Sequence, residues 1–165
     1  MAHRFVLDPV DLTFFHTAPH VSRQICELKA GPDEVWAALT ATRPLSWCRM
    51  LTSVRFEGEP PYGAGALRHV EVGGAMRMEE RFFHWDEAGR RYAFHAATAN
   101  VPLFQAFAED YLVEEISGGS RFTWTFASAP RRGFGLALKL GAPVNNLLFA
   151  SLGADTTTRF GALDG

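Results

Sequence analysis

The sequence predicts an α+β fold in which an antiparallel sheet packs against one long C-terminal helix. Between residues 51 and 130, short apolar and aromatic segments alternate with turn-forming residues, which is typical of consecutive antiparallel strands. From Phe134 onwards the period becomes helical. The residues of this helical stripe are Leu136, Leu140, Val144, Leu147, Leu148, Ser151 and Leu152. A helix with such a stripe buries it against one face of the sheet, which favours an α+β domain over a doubly wound one.

The chain begins with a segment that has no regular period. Residues 1–19 contain two prolines, so we expect an irregular arm whose pair Phe14-Phe15 packs on the body of the protein. A single domain is predicted to follow over residues 20–165. The arm is expected to cover either a cavity mouth or a neighbouring subunit.

One strand and two short helices are predicted next. The segment 20–28 alternates apolar and polar residues, as a strand does. Gly31 and Pro32 then favour the start of a short helix, because proline suits its first turn. A second short helix or turn is expected over 44–50.

The rest of the sheet is predicted from alternating segments separated by turns. Strands are expected over 51–58 and 66–72, followed by hairpins over 78–94 and 107–129. In the C-terminal helix, the sequence Gly-Ala-Pro at 141–143 is expected to produce a kink or a restart.

The hairpin over 78–94 decides which charged side chains point inward. Glu87-Ala88-Gly89 fits a three-residue loop that pairs Asp86 with Arg90. Strand alternation then gives one inward face. This face carries Met78, Glu80, Phe82, His84, Tyr92, Phe94 and Ala96. A four-residue loop would instead reverse the faces, and the sequence leaves this alternative open.

Two further turns predict the remaining inward side chains. A loop over 73–75 pairs Arg68 with Glu80, so that two desolvated charges meet. A two-residue turn at 118–119 places a second inward set on one face, with Glu109 near its far end. This set is Tyr111, Val113, Phe122, Trp124 and Phe126.

The predicted interior is therefore large and apolar but contains a few ionisable groups. A filled core rarely holds an arginine, two glutamates and a histidine, because an unpaired buried charge is strongly unfavourable. A partly wet internal cavity explains these groups better. Apolar walls with a few orienting polar groups are typical of a small-molecule site.

Charge and cysteine content argue against several other classes of function. The formal net charge of −2 provides no basic face for nucleic acid or an anionic membrane. Neither Cys26 nor Cys48 lies in a motif of zinc spacing, and we expect no metal and no cofactor. The first residues lack a secretory signal and no apolar run is long enough to span a bilayer, which predicts a cytoplasmic protein without stable membrane insertion.

Several stretches together resemble a known superfamily. They are "AGPDEVWAALTATRPLSWCRMLTSV", "YGAGALRHVEVGG", the hairpin "MEERFFHWD…RRYAF" and the Gly-Gly hairpin that ends in "FTWTF". Over roughly residues 20 to 160, they resemble the START-like helix-grip superfamily (SRPBCC), in particular its polyketide cyclase/dehydrase-like branch. The resemblance implies a seven-stranded antiparallel sheet that grips the C-terminal helix around a deep hydrophobic cavity. Members include lipid and hormone carriers, aromatic polyketide cyclases and chaperone activators, so fold does not decide function.

The leading hypothesis is a protein that binds a lipid-like or polyketide-like molecule between sheet and helix. Its expected apolar wall is Met78, Phe82, Phe94, Tyr111, Val113, Trp124, Phe126, Leu147 and Leu148. Its expected polar anchors are Arg68, Glu80, His84 and Glu109. One alternative is a cyclase/dehydrase-type enzyme with Glu80, Glu109, Tyr111 and His84 as candidate acid/base groups. Another is a chaperone-activator-like interaction module, and the sequence also leaves a homodimer open.

Overall fold

The computed structural model describes residues 4–163, with the side chains of 138 and 142–145 excepted. It contains eight strands and three helices. In chain order they are β1 (Phe5–Val6), α1 (Phe14–Thr17), β2 (His20–Leu28), α2 (Pro32–Leu39), β3 (Leu51–Phe56), β4 (Leu67–Val72), β5 (Met76–Asp86), β6 (Arg91–Ala99), β7 (Phe104–Ile116), β8 (Gly119–Pro130) and α3 (Gly135–Phe160).

Seven strands form one curled antiparallel sheet in the order β2-β8-β7-β6-β5-β4-β3, and the short β1 pairs with β6. Successive strands from β3 to β8 are neighbours in the sheet and are joined by hairpins or loops, of which the longest spans residues 57–66. The exception is β2, which lies beside the last strand and brings the two ends of the chain together. The predicted α+β fold, with a sheet around a long C-terminal helix, is confirmed.

The segment over 44–50 is a run of turns and not a second helix. Leu45 has a φ of 58°, in the left-handed region, which an α-helix of L-residues does not tolerate. The side chain of Leu45 is nevertheless buried, at 1% exposure. The left-handed backbone conformation of Leu45 therefore goes together with the burial of its side chain in the core.

The hairpin between β5 and β6 differs from the predicted one in its loop and in two bulges. Asp86 pairs with Arg91, so the loop has four residues, and its left-handed residue is Arg90, with a φ of 48°. A bulge between Phe82 and His84 then restores the predicted pairing of Phe82 with Phe94. The predicted inward face is thus wrong at His84, whereas Phe82 on β5 and Tyr92, Phe94 and Ala96 on β6 lie inward as predicted.

The hairpin between β7 and β8 turns at Ser117-Gly118, because Ile116 pairs with Gly119. The prediction placed this turn one residue later. Each residue of β7 therefore pairs with a residue of β8 that lies an even number of positions from its predicted partner. Such a shift leaves each side chain on its predicted face. Tyr111 accordingly lies opposite Trp124 on the inner face.

Helix α3 is continuous over Gly135–Phe160, so residues 141–143 do not restart it. Its second half packs on the sheet, with Leu152 and Phe160 buried. The carboxylate of Asp155 accepts hydrogen bonds from the backbone and the side chain of Arg49, at 2.9 and 3.0 Å. These contacts tie this half of α3 to the turns over 44–50.

The predicted helical stripe is wrong for three of its leucines. Leu136, Leu140 and Leu147 are 69%, 73% and 72% exposed, and their spacing of four and seven residues places them on one outward face. The inward face carries Leu148 and Leu152 instead. Since α3 is apolar on both faces, its period does not identify the face that packs on the sheet.

The arm packs on the outer face of the sheet. Phe15 is buried against Ala93, Ala108 and Ala127, whose small side chains leave room for its ring. Phe14 is half-buried beside it. The predicted packing of this aromatic pair on the body of the protein is therefore observed, on the face of the sheet opposite to the inner one. The boundary between an arm over 1–19 and a domain over 20–165 stays a prediction.

Candidate functional site

A cavity of about 470 Å³ lies between the inner face of the sheet and α3. Strands β2, β3, β4, β5, β7 and β8 form its walls together with Leu45 and α3. Most of its lining is apolar. The apolar side chains are Pro19, Val21, Leu45, Leu51, Val70, Val72, Met76, Met78, Phe104, Phe107, Tyr111, Trp124, Phe126, Leu148, Phe149 and Leu152.

The polar groups of the cavity share a face with its apolar wall because of strand alternation. On β4 and β5, Arg68 pairs with Glu80 and Val70 pairs with Met78. Side chains two residues apart in a strand point to the same side. The predicted pairing of Arg68 with Glu80 is confirmed. The turn that fixes this register contains two glycines with positive φ, Gly73 and Gly74.

Arg68 and Glu80 form a buried ion pair. The Nε of Arg68 donates to Oε2 of Glu80 at 2.6 Å, and both residues are 1% exposed. The guanidinium carbon also lies 4.3 Å from the ring centroid of Phe94 and 5.1 Å from that of Phe82. The negative faces of these rings add a favourable interaction with the cation.

The guanidinium of Arg68 keeps one unused donor. Among the residues that the structure describes, no acceptor lies within hydrogen-bonding distance and geometry of its buried Nη1. The hydroxyl oxygen of Tyr92 interacts with this guanidinium without hydrogen-bonding geometry at Nη1, and its proton is donated to the carbonyl of Leu39 at 3.3 Å. Arg68 lines the cavity, and an acceptor on a bound molecule that displaces the side chains packed around Nη1 would satisfy the donor.

Glu109 lies in the same cavity and accepts two hydrogen bonds. Its Oε2 receives the hydroxyl of Tyr111 at 2.9 Å and the indole N–H of Trp124 at 2.7 Å. Burial, reinforced by the charge of Glu80, raises the pKa of Glu109 to about 7, although the Trp124 bond acts in the opposite direction. Burial and the Glu109 charge also raise the pKa of Tyr111, which therefore stays protonated.

Two carboxyl groups thus share one cation. Burial lowers the pKa of Arg68, but the charge of Glu80, its hydrogen bond and the hydroxyl groups of Tyr111 and Tyr92 together raise it, so the guanidinium stays charged. Burial raises the pKa of Glu80, and the Arg68 charge opposes this shift. We assign the negative charge to Glu80, which contacts Arg68, and the proton near neutral pH to Glu109.

Eight of the thirteen predicted binding residues line the cavity. They are Arg68, Met78, Glu80, Glu109, Tyr111, Trp124, Phe126 and Leu148. Phe82, Phe94 and Val113 point inward but are buried in the core, where Phe82 and Phe94 support Arg68. The binding roles of these residues stay predictions.

The other two predicted residues lie elsewhere. His84 pairs with Ala93 on the outer face of the sheet, because the bulge after Phe82 turns it away from the cavity. Trp85 occupies the inner side in its place, with its ring 5.1 Å from that of Tyr92. Leu147 is exposed on the outward face of α3, as described above. Neither His84 nor Leu147 belongs to the cavity lining.

Several lining residues were missed in the sequence analysis. Val70 lies two residues from Arg68, so strand alternation predicts it. Phe149 stacks on Phe126 at 4.0 Å, but the helical period favours its neighbour Leu148. Phe107 follows an irregularity between Phe104 and Ala106, which the sequence does not indicate.

The cavity reaches solvent beside the first half of α3. His20, Lys139 and Asn146 belong to its lining and are exposed. This mouth is therefore polar at its rim, whereas Arg68 and Glu80 lie in the fully buried part. Among the described residues, no three histidine, cysteine, aspartate or glutamate side chains form a group that could hold a metal ion. No described helix is long and apolar enough to cross a membrane.

A curled antiparallel sheet that encloses an apolar cavity with one long helix defines the helix-grip class of proteins. Residues 18–150 match the family described as polyketide cyclase/dehydrase and lipid transport, and the chain belongs to this family. The uncharacterised protein Rv2574 of Mycobacterium tuberculosis is 34% identical over 141 residues, which cover 85% of this chain and 78% of that protein.

Solved structures share the fold at low sequence identity. The aromatase/cyclase ZhuI of Streptomyces sp. R1128 superposes with a TM-score of 0.65 at 15% identity, and the match covers 87% of this chain and 99% of that one. Major latex-like protein 151 of Panax ginseng superposes with a TM-score of 0.63 at 16% identity, over 86% of this chain and 98% of that one. The membership in the family supports hydrophobic ligand binding in general.

Proposed function

We propose that the protein binds an apolar small molecule, lipid-like or polyketide-like, that carries one hydrogen-bond acceptor. The observation that carries this proposal is the unused Nη1 donor of Arg68, a residue that lines a mostly apolar cavity. A buried donor without a partner is unfavourable, and a bound acceptor relieves it. The acceptor is expected to be neutral, such as a carbonyl, because Glu80 already balances the guanidinium charge.

The size and chemistry of the cavity support this proposal. Its volume of about 470 Å³ lies within the range of small-molecule sites. The apolar wall supplies affinity through burial, whereas Arg68 supplies orientation. No cofactor enters this proposal.

Titration with two fluorescent probes tests the proposal. Prodan is an apolar naphthalene with a ketone, and N-phenyl-1-naphthylamine is an apolar molecule of similar size without oxygen. Both are expected to bind, with the ketone of prodan accepting from Arg68. Val70→Trp fills the cavity from its wall and is expected to weaken both probes by roughly tenfold or more.

The matched control for Val70→Trp is Ile25→Trp, since Ile25 is 54% exposed on the sheet. The control variant should bind both probes as the wild type does, and thermal unfolding should verify that both variants are folded. Equal binding of the probes by Val70→Trp and the wild type would contradict a site in this cavity.

A second candidate function is acid/base catalysis of the cyclase/dehydrase type. It is favoured by Glu109, whose carboxyl exchanges a proton near pH 7 while in contact with the hydroxyl of Tyr111. A general acid or base works best with a pKa near the working pH. For any substrate that is turned over, Glu109→Gln should preserve binding and abolish turnover, and turnover that persists in this variant would exclude Glu109 from the chemistry.

A further inference from the structure

The outward face of the first half of α3 is an apolar surface. Leu136, Leu140 and Leu147 are each about seven-tenths exposed, at 69%, 73% and 72%. Their spacing places them within one narrow strip along the helix. Scattered single apolar residues on a surface need no explanation, but an aligned set indicates an interaction site.

This strip is separate from the face of α3 that forms the cavity. Leu148, Phe149 and Leu152 line the cavity on the opposite side. A helix that is apolar on two opposite sides normally has a partner on each. The sheet is the partner on one side, and the outward strip requires another.

The charges within residues 131–147 have a single sign. Arg131 and Arg132 precede α3 and Lys139 lies within its first half, whereas the sequence has no aspartate or glutamate between Glu115 and Asp155. Arg131 donates to the carbonyl of Val6 at 2.7 Å, while Arg132 and Lys139 are exposed. A second copy of the chain on this strip would bring like charges together, whereas an anionic surface is complementary.

The strip also lies next to the cavity mouth. Lys139 and Asn146 are exposed and belong to the cavity lining, and both lie between Leu136 and Leu147 along the helix. Whatever covers the strip therefore stands beside the entrance of the cavity.

We propose that residues 131–147 dock the protein on the surface of an anionic lipid bilayer. The three leucines would enter the boundary between headgroups and acyl chains, and the cations would contact the anionic headgroups, as in other interfacial helices. The net charge of −2 led the sequence analysis to expect no anionic membrane as partner, but at physiological salt charges are screened beyond about 8 Å and the local cations dominate. Direct transfer of an apolar molecule between bilayer and cavity rests on the proposed function, whereas docking itself does not.

Flotation of the full chain with vesicles tests the docking. One vesicle preparation contains phosphatidylcholine alone, and the other contains equal parts of phosphatidylcholine and phosphatidylglycerol. The wild type is expected to float with the anionic vesicles at physiological salt and to be released as salt rises further. Two variants should each bind the anionic vesicles at least roughly tenfold more weakly than the wild type. They are the triple variant Leu136→Ser, Leu140→Ser, Leu147→Ser and the single variant Arg132→Glu.

The matched control combines Ile25→Ser and Arg23→Glu, which change an exposed apolar residue and an exposed cation on β2. This control should float as the wild type does. Absence of flotation, or equal flotation of the wild type and the triple variant, would overturn the proposal. A wild type that forms a dimer and does not bind vesicles would also overturn the proposal if the triple variant were monomeric. In that case a second copy of the chain would be the partner of the strip. The Val70→Trp variant, whose cavity is filled, should still float with the anionic vesicles. This result would separate docking on the bilayer from binding of a ligand in the cavity.

Discussion

Replacing Arg68 by methionine is expected to lower the free energy of unfolding by about 3–5 kcal/mol at neutral pH. The change leaves Glu80 at 1% exposure without its cation. An uncompensated buried carboxylate is far less favourable than the lost ion pair alone would suggest, because its desolvation is no longer balanced. Urea unfolding followed by circular dichroism measures the difference from the wild type.

The double variant Arg68→Met, Glu80→Met provides the control for this prediction. It removes both charges together, and apolar replacement of a buried ion pair is often neutral or stabilising. We therefore expect the double variant to recover most of the stability that Arg68→Met loses. A double variant that is as unstable as the single one would show that the charge of Glu80 is not the cause.

The same pair of variants separates stability from recognition. The double variant has no guanidinium, so prodan should lose affinity by roughly tenfold or more, as expected for a hydrogen bond to a charged donor. N-phenyl-1-naphthylamine, which has no oxygen, should retain its affinity. Equal losses for the two probes would contradict the orienting role of Arg68.

Replacing Glu109 by glutamine is expected to remove a pH dependence of stability. The pKa of Glu109 is raised from an ordinary value of 4.5 to about 7 in the folded protein. The folded state therefore binds the proton more tightly than the unfolded state, and this contribution to stability is complete below pH 4.5 and is lost as the pH rises through 7. The interval corresponds to about 3 kcal/mol.

The wild type should accordingly lose about 3 kcal/mol relative to Glu109→Gln between pH 4 and pH 8. The glutamine oxygen still accepts from Tyr111 and Trp124, so packing and hydrogen bonding are retained. Contributions from groups remote from Glu109 cancel in this difference, whereas Glu80 interacts with Glu109 and its titration is part of the measured effect. Urea unfolding of both proteins over this pH range measures the effect, and parallel stability curves would show that Glu109 does not titrate near neutrality.

Much of the site could be predicted because turn chemistry fixes strand register. The loop over 73–75 is short and contains two glycines, so the pairing of Arg68 with Glu80 follows from the sequence. The last hairpin shows a weaker form of the same rule. Its turn lies at 117–118, yet Glu109 and Tyr111 keep their predicted face because the pairing changed by an even number of residues.

Other parts of the site could not be predicted from local patterns. The bulge that turns His84 outward and Trp85 inward depends on packing among aromatic side chains, and either residue is compatible with a strand. The burial of Leu45 requires a left-handed conformation that has no local signal. On α3, apolar residues occupy two faces, so the helical period alone could not distinguish the cavity side from the outward strip.

The central claim is that the cavity holds an apolar molecule, and native mass spectrometry tests it most directly. The protein is measured after incubation with prodan and gentle removal of excess probe, beside Val70→Trp and the exposed control Ile25→Trp. We predict one bound prodan on the wild type and on Ile25→Trp, lost on denaturation, and none on Val70→Trp. A wild type that shows only the mass of the polypeptide, or a Val70→Trp variant that retains prodan equally well, would contradict the claim.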